Sequence, residues 1–218
     1  SSRAFFRRRF IRIYPTFVAA IFVTWLCDAA TGLFVNHPRL GDASFTALVY
    51  NLLALQGVFS RFYGSNGPLW SLGIEIQFYL VYPIALQLRQ RLDAEKMLLA
   101  SFLLSLFGYL IFERNGVTAF PQYYVCWWIG AYLADREAQA GGNLSFLLAT
   151  IAIVAGAALN SFKYIYFGFL FWSLGTAPIL YCLIRSGIRR DKILSNALKP
   201  IGDFSYSIYA VHMPLVVL

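Results

Sequence analysis

Three short stretches of this chain combine side chains able to bind phosphate, move protons or donate hydrogen bonds, at spacings that a helix would gather on one face. The first is Arg7-Arg8-Arg9-Phe10-Ile11-Arg12-Ile13-Tyr14-Pro15. On a helix Arg9 and Arg12 share a face at spacing three, and Arg8 and Arg12 at spacing four. Guanidinium forks bind phosphate oxygens in pairs, so the run suits a phosphorylated donor. It equally suits an anchor against anionic lipid headgroups.

The second stretch runs from Gly64 to Pro83, where a Gly-Ser-Asn-Gly-Pro turn opens a helix. Ser71, Glu75 and Tyr79 follow at spacing four, with Tyr82 continuing the face. Glu75 is the carboxylate of an apolar run, where an ionisable group costs about 2.5 to 3.5 kcal/mol to insert into a bilayer, which makes it a functional candidate. A structural glutamate, protonated or paired with arginine, is the alternative.

The third stretch, Gly202 to Pro214, carries Ser205, Tyr209 and His212 at i, i+4 and i+7, with Tyr206 beside them. An imidazole there can act as a base near neutral pH, or can serve as interhelical hydrogen-bonding glue. Asp28 is expected at the outer interface and His37 in a solvated loop. With two histidines and no HExxH or clustered carboxylates, no metal site is expected. Cys27, Cys126 and Cys182 lie far apart in apolar runs and read as packing residues.

The elements that must position these residues follow from composition. Hydrophobic residues make up 59% of the 218, and charged residues 13%, about half the share usual in a soluble domain. Mean hydropathy is +0.62. A soluble globule has too little interior for that much apolar surface, so the chain reads as an integral membrane protein. The eighteen Lys and Arg against ten Asp and Glu sit in short runs between apolar segments, as topology determinants do, and do not indicate a nucleic-acid partner.

Eight apolar runs are long enough to matter: 11–34, 43–59, 69–88, 97–112, 119–134, 144–159, 164–184 and 201–218. Backbone groups in lipid must be bonded within the segment, and no run alternates like a barrel strand, so all eight are expected to be helices. If every run crossed, the basic clusters at Arg89, Arg91 and Lys96 and at Arg185 to Lys199 would fall opposite the N-terminal arginines. Making 43–59 re-entrant or interfacial instead leaves only Arg39, Arg61, Arg114 and Lys163 on the outer side. The expected fold is therefore an all-α polytopic transmembrane bundle of about seven spans plus one re-entrant or interfacial helix. No loop is long enough for a separate domain, so residues 1–218 read as one membrane-embedded domain.

In this order, the three stretches resemble the membrane acyltransferase 3 family, bacterial integral-membrane enzymes that O-acylate cell-surface and exported carbohydrates. The likeness rests on R-x-x-R-I-x-P at Arg9 to Pro15, W-S-L-x-x-E-x-x-F-Y-L-x-x-P at Trp70 to Pro83 and G-x-x-S-Y-x-x-Y-x-x-H-x-P at Gly202 to Pro214. Family members carry about ten membrane helices. The two preceding the arginine run, the first bearing the histidine regarded as catalytic, have no counterpart here, so the chain resembles the later four-fifths of a member and is expected to be inactive alone.

The resemblance implies acyl transfer, most often acetyl, from acyl-CoA to a carbohydrate hydroxyl in the bacterial inner membrane, with the arginines on the cytoplasmic side. Arg8, Arg9 and Arg12 would hold the CoA phosphates. Glu75 and His212 are the catalytic candidates within the chain, although His212 belongs to the closing motif and does not replace the missing histidine. Trp70, Ser71, Tyr206 and Tyr209 are candidates for substrate binding, the tryptophan as a face for a sugar ring and the hydroxyls as oxyanion donors. The lipid bilayer and a carbohydrate or glycolipid acceptor are the expected partners. Two rivals remain at this stage: a carrier or flippase for a lipid-linked glycan using the same buried polar residues, and a structural subunit whose polar residues only join helices.

Overall fold

The computed structural model describes residues 2–31, 42–112, 116–135, 143–185 and 192–217. His37, Arg39, Arg114, Arg189 and Arg190, to which the sequence assigned loop positions, lie outside the described residues. Among the described residues the regular structure is helical: α1 (Ser2–Thr31), α2 (Phe45–Leu52), α3 (Leu69–Arg89), α4 (Ala94–Phe112), α5 (Phe120–Asp135), α6 (Asn143–Ser161), α7 (Ile165–Arg185) and α8 (Lys192–Val217). Each apolar run of the sequence contains or overlaps one helix.

Among the described residues, four helices are long and apolar enough to cross a membrane, over Arg3–Thr31, Leu69–Arg89, Ala94–Phe112 and Ile165–Leu183, and Phe146–Ser161 is a shorter apolar helix. Phe22, Trp25 and Leu26 of α1 and Leu99, Leu103 and Phe107 of α4 are exposed, as side chains facing lipid are. The chain is thus an integral membrane protein with an all-α fold. Prolines stand inside four of the long helices, at Pro15, Pro83, Pro178, Pro200 and Pro214. Membrane helices tolerate them because neighbouring groups satisfy the carbonyls they free.

Run 43–59 is helical only over the eight residues of α2. At 1.5 Å per residue that is about 12 Å, far short of a 30 Å hydrocarbon core, in line with a segment that does not cross. Ser44 caps α2 by accepting the Ala47 N–H at 3.1 Å. After α2 the backbone turns through positive φ at Ala54, Gly57 and Gly64, and buried amides hold the turns. Asn51 donates to the carbonyls of Ala47 and Arg61 and accepts the Tyr63 N–H.

The chain packs as two compact units. The first comprises residues 1–86, 115–120 and 200–218, the second residues 87–114 and 121–199. In the first unit a core of Phe17, Ala20, Ile21, Leu69, Leu72 and Ala210 joins α1, α3 and the end of α8. Here the Thr118 N–H donates to Gly57 O at 2.7 Å. Gly57 has φ +85°, and a Cβ there would run into the Thr118 carbonyl oxygen. Gly57→Ala is therefore expected to lower stability by about 1 to 3 kcal/mol, read as a lower melting temperature of the purified protein.

In the second unit α6 and α7 approach through small residues. Gly156 and Gly168 face one another's backbone carbonyls, and the Trp172 indole N–H donates to Ile153 O at 3.2 Å. Such contacts replace the hydrophobic drive that lipid does not supply between helices. Ser105 of α4 donates to Pro121 O and accepts the Val125 N–H, tying α4 to α5.

Candidate active site

All three motif stretches fall in the first unit, on α1, on the 64–68 turn with α3, and on the end of α8. The arginine run forms the opening turns of α1, so the side chains have the helical spacing expected of them. Arg8 and Arg12 are exposed and Arg9 is half-buried. The Arg9 guanidinium lies 4.9 Å from the ring centre of Tyr79 and 5.6 Å from that of Phe5. A cation over an aromatic face contributes about 0.5 to 2 kcal/mol, the more when water is excluded.

Tyr79 carries this contact into the helix. Its hydroxyl donates to Glu75 Oε1 at 2.7 Å. Arg9, Tyr79 and Glu75 therefore stand in series, with one phenol presenting its face to the cation and its proton to the carboxylate. Beside them, Phe6, Phe10, Ile13, Tyr14, Ile76 and Leu80 line an apolar groove of about 140 Å³ between α1 and α3, with Arg9 and Tyr79 on its wall.

The three hydroxyls considered as oxyanion donors are not equivalent. Ser71 donates to Pro68 O at 3.0 Å and lies 2.6 Å from the Tyr209 hydroxyl. A serine has one hydrogen to donate, so Tyr209 is the donor in that pair and both protons are committed. Tyr206 differs. Its hydroxyl is buried without a hydrogen-bond partner among the described residues, within electrostatic reach of Glu75, Tyr79 and Arg12.

His212 points elsewhere. Its Nδ1 is 2.8 Å from Tyr209 O on the preceding turn of α8. A carbonyl only accepts, so Nδ1 carries the hydrogen and the ring is tethered to its own helix. Ser205, expected on the same face, donates to Gly202 O and is exposed. Of the closing motif, then, the structure brings Tyr206 towards Glu75 and Tyr209 to Ser71, while no contact among the described residues joins His212 to Glu75.

Trp70 stands at the first turn of α3, about 14 Å along the axis from Tyr79 at 1.5 Å per residue. It lines a pocket of about 540 Å³ together with Phe59, Ser60, Arg61, Phe62, Gly116, Val117 and Thr118. Two glutamines that sequence reasoning passed over, Gln56 buried and Gln77 half-buried, hold this end in place. Gln77 donates to Ala54 O and accepts the Phe120 N–H, and Gln56 donates to Leu69 O. The available signal was an amide inside an apolar run.

Asp28 also departs from expectation. Rather than lying at an interface with solvent, it is 1% exposed and accepts the Ser65 N–H at 2.8 Å. Burial, with Asp28 and Asp42 nearby, raises the pKa of the adjoining Tyr63 phenol above its ordinary value.

The full length of the chain, residues 1–218, matches the family described as acyltransferase domain. The chain belongs to the acyltransferase 3 family. All three motif stretches lie within the matched residues. A relative, acyltransferase MdmB of Streptomyces mycarofaciens, is 32% identical over 101 residues, 44% of this chain. The matched stretch spans 25% of that relative's length. No solved structure gives a significant match.

Proposed function

We propose that this acyltransferase 3 member moves an acyl group, acetyl in the first instance, from acyl-CoA to a hydroxyl of a cell-surface or exported carbohydrate. It would do so in the bacterial cytoplasmic membrane, with the arginine run on the cytoplasmic side. The observation that carries this reading is the series Arg9, Tyr79, Glu75, with the Trp70 pocket at the opposite end of the same helix. Exposed guanidinium groups at Arg8 and Arg12 fit the phosphates of CoA, and the apolar groove beside Arg9 fits its flexible arm. The Trp70 pocket, lined also by Ser60, Arg61 and Thr118, combines aromatic and polar residues as a sugar ring needs.

In the reaction the acceptor hydroxyl oxygen attacks the thioester carbonyl carbon and loses its proton to a base. The carbon–sulfur bond then breaks, and CoA leaves as the thiol after taking up a proton. By family resemblance the base is a histidine on a helix without a counterpart in this sequence. Glu75, held by Tyr79, orients that base. Tyr206, whose proton is uncommitted, donates to the oxyanion of the tetrahedral intermediate.

The test follows radiolabel from acetyl-CoA into the carbohydrate fraction of membranes holding the full-length protein. Label incorporation with release of free CoA supports the proposal. Movement of a glycan without thioester consumption would favour a carrier. Tyr206→Phe is expected to lower kcat about a hundredfold with little change in the KM for acyl-CoA, whereas Ser71→Ala, whose pair is already closed, should cost less than tenfold.

A further inference from the structure

A second polar cluster sits in the first unit, between α1, the 63–68 turn and α8, and the acyl-transfer chemistry makes no use of it. Thr24 and Asp28, one turn apart on α1, are 0% and 1% exposed, and Ser65 and Asn66 are 4% and 0% exposed. Asp28 Oδ2 accepts the Ser65 N–H at 2.8 Å. Asn66 Nδ2 donates to Thr24 Oγ1 at 3.0 Å and to Ala210 O at 2.8 Å, and Thr24 donates to Ala20 O at 2.7 Å.

Hydrogen counting exposes an imbalance. Both amide hydrogens of Asn66 are used, which fixes its Oδ1 as an acceptor, and the Thr24 hydrogen is used as well. Among the described residues, Asp28 Oδ1, Asn66 Oδ1 and Ser65 Oγ remain buried with no hydrogen-bond partner. The cluster thus holds three unfilled oxygens, one spare hydroxyl hydrogen and one carboxylate. Buried oxygens are rarely left this way, and a buried carboxylate least of all. Gly64 lets the turn come so close that a Cβ on it would meet Asp28 Oδ2.

We propose that Asp28 Oδ1, Asn66 Oδ1 and Ser65 Oγ bind a monovalent alkali cation that locks the 63–68 turn to α1 and α8. Hard oxygen donors suit such an ion. A single carboxylate balances one positive charge and would leave a divalent ion half-neutralised in this buried cluster. The ion neutralises Asp28 and fills the unsatisfied lone pairs together. Its structural effect reaches the candidate active site, because Asn66 grips the carbonyl of Ala210, next to Tyr209.

The test is thermal unfolding of the purified protein in detergent, followed by tryptophan fluorescence, as NaCl or KCl replaces N-methyl-D-glucamine chloride at constant ionic strength. The melting temperature is expected to rise saturably by about 4 °C or more with one of the two ions, and the lower half-saturation identifies which. Ser65→Ala, which removes one oxygen, should move the half-saturation upward about tenfold, and Asp28→Asn should abolish the dependence. If Asp28→Asn does not fold, Ser65→Ala carries the test. A flat wild-type response to both ions would mean that water fills the cluster and would overturn the proposal. So would stabilisation by Ca²⁺ or Mg²⁺ alone, or an alkali-ion response undiminished in Ser65→Ala.

Discussion

Glu75→Gln is expected to lower acyl transfer about a hundredfold or more at matched expression, while leaving the fold intact. Glutamine keeps the shape of the side chain, and its carbonyl oxygen can still accept the Tyr79 hydroxyl now 2.7 Å from Oε1. What it removes is the negative charge that the series of Arg9, Tyr79 and Glu75 holds inside an apolar helix. Positioned acid–base groups contribute about 10² to 10⁴ in rate, and loss of charge at fixed geometry removes that contribution. The readout is kcat for label transfer from acetyl-CoA. An unchanged kcat would sink the catalytic assignment and leave Glu75 a structural residue. Tyr79→Phe, which loses the hydroxyl but keeps the ring beneath Arg9, should fall between the two.

The arginines should separate by parameter. Arg12→Ala is expected to raise the KM for acyl-CoA more than it lowers kcat, because on the proposed function its exposed guanidinium meets the donor phosphates. A charge-assisted hydrogen bond contributes about 1.5 to 3 kcal/mol, which corresponds to roughly ten- to a hundredfold in affinity. Arg9→Ala should raise KM and also lower kcat, since its guanidinium packs on the ring whose hydroxyl holds Glu75. Arg12→Lys keeps the charge but not the fork and should restore affinity only in part. Equal KM values for wild type and an Arg9→Ala/Arg12→Ala double variant would show that the run does not bind the donor and would favour its reading as a lipid anchor.

Much of the scaffold could be read before any coordinates. Apolar runs decide membrane helices because each helix satisfies its own backbone, a local requirement that composition records directly. The bounds at 69–88 and 97–112 differ from α3 and α4 by at most three residues. The shortness of α2 was legible only as a charge argument, from Arg39 and Arg61 falling on one side. The spacing of Ser71, Glu75 and Tyr79 showed their common face, and Tyr79 does meet Glu75 one turn away.

By itself, then, the sequence determined the class of protein, the helices and the family, since all of these rest on residues near one another in the chain. Only the tertiary structure decided which hydroxyl keeps its proton. Ser71 and Tyr209, 138 residues apart, close on each other, while the Tyr206 hydroxyl is left without a partner among the described residues. It likewise decided that Asp28 is buried and that Asn66 reaches the Ala210 carbonyl 144 residues away. A hydrogen bond depends on where two atoms stand to within tenths of an ångström, and helical periodicity gives the face of a residue but not the partner that face will meet.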